Sequence, residues 1–324
     1  MAKKKNFSRR KTRGARRANP VSALHPSLGS YTAESPECFL GLPAADLPSY
    51  EDARTVVFPV PLDRTTSYMA GTKHGPAAIL RASRYVETYD EELGCEPYEA
   101  ARIATIPPLE THEGTLEKVL GELHTGVLAL LADGKFPVVL GGEHSLTAPC
   151  VAAAAKKFTN LSVLQIDAHA DLRDAYQGNP SSHASVMRRV VEICPAVQVG
   201  IRAVSAEEAE VIPELPVKVY WAKDIARGRT EEWVARVVSD LTENVYLTVD
   251  LDGFDPTCVP ATGTPEPGGL DWYQVTALIR AVAARKRIVA MDVVELLPQP
   301  GDHASDFLAA KLIYKALGYI FCRR

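Results

Sequence analysis

From about Thr55 onward, short apolar runs alternate with segments of helical periodicity, and this alternation limits the fold more than any other feature of the chain. Strand-like runs occupy Thr55–Val60, 136–140, Leu161–Ile166, 197–200, 245–249 and 288–293. Over 116–131, the residues Leu116, Val119, Leu120, Leu123, Val127, Leu130 and Leu131 recur at helical spacing, with Thr115 placed as N-cap and Gly134 as stop. Further helical patterns cover 231–241, 273–284 and 304–317. Strands alternating with helices imply βαβ units, hence a mainly parallel sheet covered on both faces. No linker or internal repeat interrupts the pattern, so 36–324 reads as one domain behind a tail at 1–35.

That tail has little apolar content beyond Phe7 and cannot bury enough surface to order itself, so it reads as flexible. Nine Lys and Arg fall in its first 17 residues, and the first acidic residue is Glu34. Without those nine cations, 27 Lys and Arg face 40 Asp and Glu, so the body carries about −13. A solvated extension and a contact with RNA or another polyanion both suit the tail. A mitochondrial transit peptide suits it less, because 3–17 lack an apolar face. No run approaches the ~20 apolar residues of a membrane span, and no secretory signal opens the chain. The six cysteines are scattered without a C-x-x-C pair, which argues against a disulfide frame or zinc ribbon and for a reducing compartment. A soluble, cytoplasmic protein is the expectation.

The chemistry sits where strands end. The run 138–140 leads into Gly141-Gly142-Glu143-His144, Leu161–Ile166 into Asp167-Ala168-His169-Ala170-Asp171, and 246–249 into Asp250-Leu251-Asp252. Ligands of open α/β sheets bind outside the carboxyl ends of strands, so all three clusters point to one rim. Side chains alternate along extended backbone, which would put Asp167, His169 and Asp171 on one side and pair Asp250 with Asp252. Each cluster alone has a duller explanation, a capping or turn group. Together they gather four carboxylates and two imidazoles with no basic residue among them, an arrangement that needs compensating positive charge. Two divalent ions sharing carboxylates meet that need better than one. Oxygen and imidazole donors without thiolate favour Mn²⁺ over Zn²⁺, with Co²⁺, Ni²⁺ and Fe²⁺ as alternatives. The pairs Gly141-Gly142 and Gly268-Gly269 lack the pattern of a phosphate loop and are read as sites of close backbone approach.

GGEHSLT (141–147), DAHADLRD (167–174), SHASVMRR (182–189), DLDGFDP (250–256), the run 262–270, DVVELLP (292–298) and GTKHGPAAILRAS (71–83) together resemble the ureohydrolases, the arginase and agmatinase family, and most of all the prokaryotic-type agmatinases. The resemblance covers about residues 50–320. It implies a three-layer α/β/α arginase-like fold with a mainly parallel eight-stranded sheet, a binuclear manganese centre, and a homotrimer or homohexamer. One ion would be held by His144, Asp167, Asp171 and Asp250, and the other by His169, Asp167, Asp250 and Asp252. It further implies that His183 acts as acid/base or proton shuttle, and that Glu295 pairs with the substrate guanidinium. Asp171 could hydrogen-bond the nucleophile and pass on a proton.

The implied reaction is hydrolysis of a cationic guanidino compound, first of all agmatine to putrescine and urea. Arg173 stands where arginases carry a small amide beside the amino-acid end of arginine, which favours a substrate without the α-carboxylate. Arg173 could equally bind and attract an acidic tail, so guanidinobutyrate and guanidinopropionate stay open beside guanidine, arginine and formimidoyl compounds. A metal-dependent deacetylase would show adjacent histidines, and none of the eight has a histidine neighbour. A non-catalytic assembly subunit would have lost ligands, and all six positions match. A polyanion-binding role resting on the tail is compatible with enzyme activity.

Overall fold

The computed structural model describes residues 38–43 and 45–322. The tail expected over 1–35, and with it any polyanion contact, lies outside the described residues. Among the described residues there are eight strands: β1 Thr55–Val60, β2 Ile103–Thr105, β3 Phe136–Gly141, β4 Leu161–Ile166, β5 Ala196–Ile201, β6 Val217–Trp221, β7 Asn244–Asp250 and β8 Arg287–Val294. They form one sheet in the order β2-β1-β3-β8-β7-β4-β5-β6, and every pairing is parallel. All six expected strands are found. The two that the periodicity does not announce, β2 and β6, are the edges. β2 has only three residues, and no residue of β6 is fully buried, so neither leaves an apolar run.

The main helices are α1 Gly75–Ser83, α2 Leu116–Ala132, α3 Thr147–Lys157, α4 Val186–Val191, α5 Thr230–Asp240, α6 Trp272–Arg285 and α7 Ala304–Phe321. Thr115 does cap α2, its side chain accepting from the Lys118 N–H at 3.3 Å, and Gly134 follows the helix end at φ +76°. Alternation along the strands builds two cores. Val56, Phe58 and Val60 of β1 pack with Leu123, Leu130, Val151 and Val190 from α2, α3 and α4. Val57 instead joins Val138, Leu164 and Leu247, packed with Ile79, Trp233, Ile279 and Leu312 from α1, α5, α6 and α7. Each fully buried Leu, Ile or Val contributes about 1.5–3 kcal/mol by leaving water. The result is the three-layer α/β/α architecture.

The strand order matters for the site. β3, β8, β7 and β4 are neighbours at the centre of the sheet although far apart in sequence. Their carboxyl ends therefore stand side by side, and these are the ends that carry residues 141–144, 295, 250–252 and 167–171. Among the described residues no helix is long and apolar enough to cross a membrane, and Cys95, Cys150, Cys194, Cys258 and Cys322 form no disulfide.

Candidate metal centre

His144 opens a short turn after β3 and is 1% exposed. Its Nδ1 faces Asp167 Oδ2 at 3.1 Å, Asp171 Oδ2 at 3.2 Å and Asp250 Oδ2 at 3.3 Å. None of the three is aligned to hydrogen-bond it, so Nδ1 is buried without a hydrogen-bond partner. A nitrogen aimed among three carboxylate oxygens in this way fits a cation at their centre. The other ring nitrogen, Nε2, lies 2.9 Å from Thr248 Oγ1, whose own proton goes to Asp292 Oδ1 at 2.6 Å. Thr248 can then only accept from Nε2–H, which leaves Nδ1 as the nitrogen able to bind a metal. Asp292 is fully buried and also accepts from Thr147 and Tyr246 hydroxyls at 2.9 and 2.7 Å.

A second group lies beside the first. His169 Nδ1 is 2.9 Å from Asp252 Oδ2 and 3.7 Å from Asp167 Oδ1. The groups His144–Asp167–Asp171 and Asp167–His169–Asp252 are each close enough to hold a metal ion and have Asp167 in common. Their electrostatics report crowding of like charge. Burial raises the Asp167 carboxyl to about 7, helped by the charges of Asp252 and Asp171. Burial and the same kind of neighbours raise Asp250 well above the carboxylate range. For His169, burial opposes the proton, but Asp252 and Asp167 outweigh it and take the imidazole to about 11. Burial pushes the Asp252 carboxyl up, but the charge and hydrogen bond of His169 outweigh it and lower the group to about 2. Positive charge is what this cluster lacks, and without an ion its histidines must supply it as bound protons.

Simple extended alternation does not produce the convergence. Strand β4 ends at Ile166, and Asp171 reaches His144 from the left-handed region at φ +54°, its carbonyl accepting from the Met187 and Arg188 N–H groups at 3.0 and 3.2 Å. Asp252 likewise lies past β7, in a tight turn where its N–H donates to Asp250 Oδ1 at 2.9 Å. Glu295, at φ +63°, also has a left-handed backbone, tied by its N–H to Gly142 O at 2.7 Å. Non-glycine residues held in this region cost free energy and gather at functional sites. Gly142 itself allows the close approach expected of it, since a Cβ there would lie 2.0 Å from Leu62 O.

The remaining candidates line the same cleft of about 240 Å³. Glu295 Oε1 accepts from the His144 N–H at 2.7 Å, and burial with the nearby Glu143 charge pushes its carboxyl up. His183 Nδ1 lies 3.1 Å from Thr65 Oγ1, which donates to the buried Glu143 Oε1 at 3.0 Å. Thr65 thus accepts from Nδ1–H and leaves the lone pair of His183 on Nε2. Arg173 sits over the Tyr176 ring and turns to Glu207 at 3.7 Å and Glu208 at 3.9 Å. Thr65, Glu143, Thr248 and Asp292 escaped the sequence reading. Glu143 and Asp292 lie within the quoted motifs, but their partners come from other strands and loops.

The sequence profile described as Arginase family matches residues 53–318. The chain belongs to the arginase family. Over 278 residues it is 42% identical to an N(1)-aminopropylagmatine ureohydrolase of Synechocystis sp., covering 84% of this chain and 90% of that protein. It is 33% identical to an agmatinase of Bacillus anthracis, over 78% of this chain and 86% of that one. The crystal structure of agmatine ureohydrolase of Thermoplasma volcanium superposes with a TM-score of 0.78 at 33% identity, covering 85% of this chain and 93% of that one. This arginase-family chain is an agmatinase-like ureohydrolase, a hydrolase of amidino C–N bonds.

Proposed function

We propose that the chain hydrolyses the guanidino group of an agmatine-class amine, N1-aminopropylagmatine first and agmatine second, releasing urea and the free polyamine. The observation that carries this reading is the pair of histidine–carboxylate groups joined through the buried Asp167, with their other members lining one cleft. The order of substrates follows the relatives, since identity is higher to the aminopropylagmatine ureohydrolase than to the agmatinase. Arg173 speaks against an acidic tail, because its charge is already turned toward Glu207 and Glu208. Two Mn²⁺, a cytoplasmic setting, a single catalytic domain over 36–324 and a trimeric or hexameric assembly belong to the same proposal.

His144, Asp167, Asp171 and Asp250 would hold one ion, and His169, Asp167, Asp250 and Asp252 the other. Bound there, the pair would supply Lewis-acid activation of water near neutral pH. The protein does the rest. Glu295, anchored through Oε1, offers Oε2 to the planar guanidinium and so orients the central carbon. Asp171 accepts a hydrogen bond from the attacking water and fixes its direction. His183, with its lone pair on Nε2, takes up a proton and delivers one to the departing amine. A urea-release assay over N1-aminopropylagmatine, agmatine, arginine, guanidinobutyrate, guanidinopropionate and guanidine, with metal content measured on the same sample, tests the reading. Urea from the first two with about two Mn²⁺ per chain is expected; full activity after complete metal removal refutes it.

A further inference from the structure

Resting on that function, we infer that Glu266 is a specificity-determining residue that receives the alkylammonium tail of the substrate. A substrate of this class carries its second positive charge several methylenes from the guanidinium, so a partner is needed toward the mouth of the cleft. The acids of the cleft can be sorted by what already holds them. Asp171, Asp250 and Asp252 belong to the histidine–carboxylate groups, and Glu295 is tied to the His144 N–H. Glu208 accepts from the Leu172 and Ser205 N–H groups, both at 2.8 Å, the second completing a capping box of the short helix Ala206–Val211. Glu266 also lines the cleft, yet among the described residues its carboxylate makes no hydrogen bond or close ion pair, and Arg202 attracts it only at longer range.

Its backbone, by contrast, is held firmly. Arg202 donates to Glu266 O from Nε at 3.1 Å and Nη2 at 2.8 Å. The same guanidinium donates to Asp252 O at 2.7 Å and Phe254 O at 3.1 Å, so it ties the Glu266 loop to the turn that carries Asp252. On the far side, Asp255 Oδ2 accepts from the Gly268 and Gly269 N–H groups at 2.8 and 3.1 Å. Pro265 and Pro267 flank Glu266 and have fixed φ angles. A half-buried carboxylate on so rigid a loop is pre-organised for a cation and loses little entropy on binding one. Tyr68 and Met69, both exposed, line the same cleft and offer apolar surface to the methylenes between the two charges.

The test compares the full-length, Mn²⁺-loaded wild type with Glu266→Gln on agmatine, N1-aminopropylagmatine and butylguanidine, whose tail has no charge. Butylguanidine is measured as a substrate or, where turnover is slow, as a competitive inhibitor. Loss of a charge-assisted contact should lower kcat/KM for the two charged-tail substrates roughly 10- to 100-fold, mainly through KM. The kcat/KM or Ki for butylguanidine should move by less than about threefold, and thermal unfolding should be unchanged. Equal losses on all three compounds, or no loss on any, overturn the assignment of Glu266 while leaving the ureohydrolase reading intact. Absence of urea release by the wild type from every guanidine overturns that reading, and the inference with it.

Discussion

Replacing Thr65 by Val tests whether His183 is positioned from behind. The hydroxyl of Thr65 donates to Glu143 Oε1 at 3.0 Å, accepts from the His183 backbone N–H at 3.0 Å, and lies 3.1 Å from His183 Nδ1. Valine keeps the shape and removes all three contacts. Glu143 is fully buried and would keep the Thr65 N–H at 2.6 Å and the Ser145 hydroxyl at 2.6 Å, so it loses one donor of three. A hydrogen bond to a buried charge contributes about 1.5–3 kcal/mol, which in a chain of this size corresponds to a fall in Tm of about 2–4 °C. The effect on catalysis should be larger than that fall suggests. A positioned acid/base group is worth roughly 10²–10⁴-fold, and a ring free to rotate and change tautomer should forfeit about 10- to 100-fold of it in kcat. The measurement is urea release at saturating agmatine, with thermal unfolding and bound Mn²⁺ on the same preparation. A kcat within twofold of wild type at unchanged metal content would refute the positioning role. Loss of metal together with activity would refute it too, since Glu143 precedes His144 and the damage would then lie in the ligand turn.

Asp252→Ala should abolish turnover and lower bound metal below two ions per chain by elemental analysis, whereas His183→Ala should cut turnover far more than metal content; equal loss of both in the second variant would remove its proton role. Thr248→Val frees the Nε2 of His144 and should weaken metal binding roughly 10- to 100-fold in a chelator competition; unchanged affinity would show that Thr248 does not fix the tautomer. Metal uptake should also release protons. In the metal-free protein His169 is raised to about 11 and is protonated at pH 7, and Asp167, raised to about 7 chiefly by burial, holds a proton more readily than an ordinary carboxyl. Both must be deprotonated to bind a cation, so affinity should rise as pH rises from 6 to 8, and at least one proton per chain should appear in weakly buffered solution at pH 7. Uptake without proton release contradicts that charge assignment.

How far the sequence discloses this protein depends on whether a residue's partners are near it in the chain. The six long strands and α2 are legible because burial on both faces, or on one face of a helix, writes itself into consecutive positions. β2 and β6 are not, because an edge strand is half covered and its pattern dissolves. α3 is hidden by its run of alanines, which pack against the sheet without forming a wide apolar stripe. In the site, His144, Asp167, His169, Asp171, Asp250 and Asp252 stand out because metal-type donors recur at strand ends in short clusters. What the clusters do not disclose is the backbone that aims them. The left-handed turns at Asp171 and Glu295 are imposed by hydrogen bonds to α4 and to Gly142, and no local propensity announces them. The supporting residues are harder still. Thr65 reads as a polar loop position, Thr248 and Asp292 as ordinary members of β7 and β8, and Arg202 as a surface arginine after β5. Each gains its role only when strands far apart in sequence become neighbours: β7 beside β8 gives Thr248 its contact with Asp292, and the end of β5 beside the turn after β7 places Arg202 against Asp252 and Glu266. Residues whose function is to hold other residues are therefore written in the topology of the sheet, and spacing along the chain carries almost none of it.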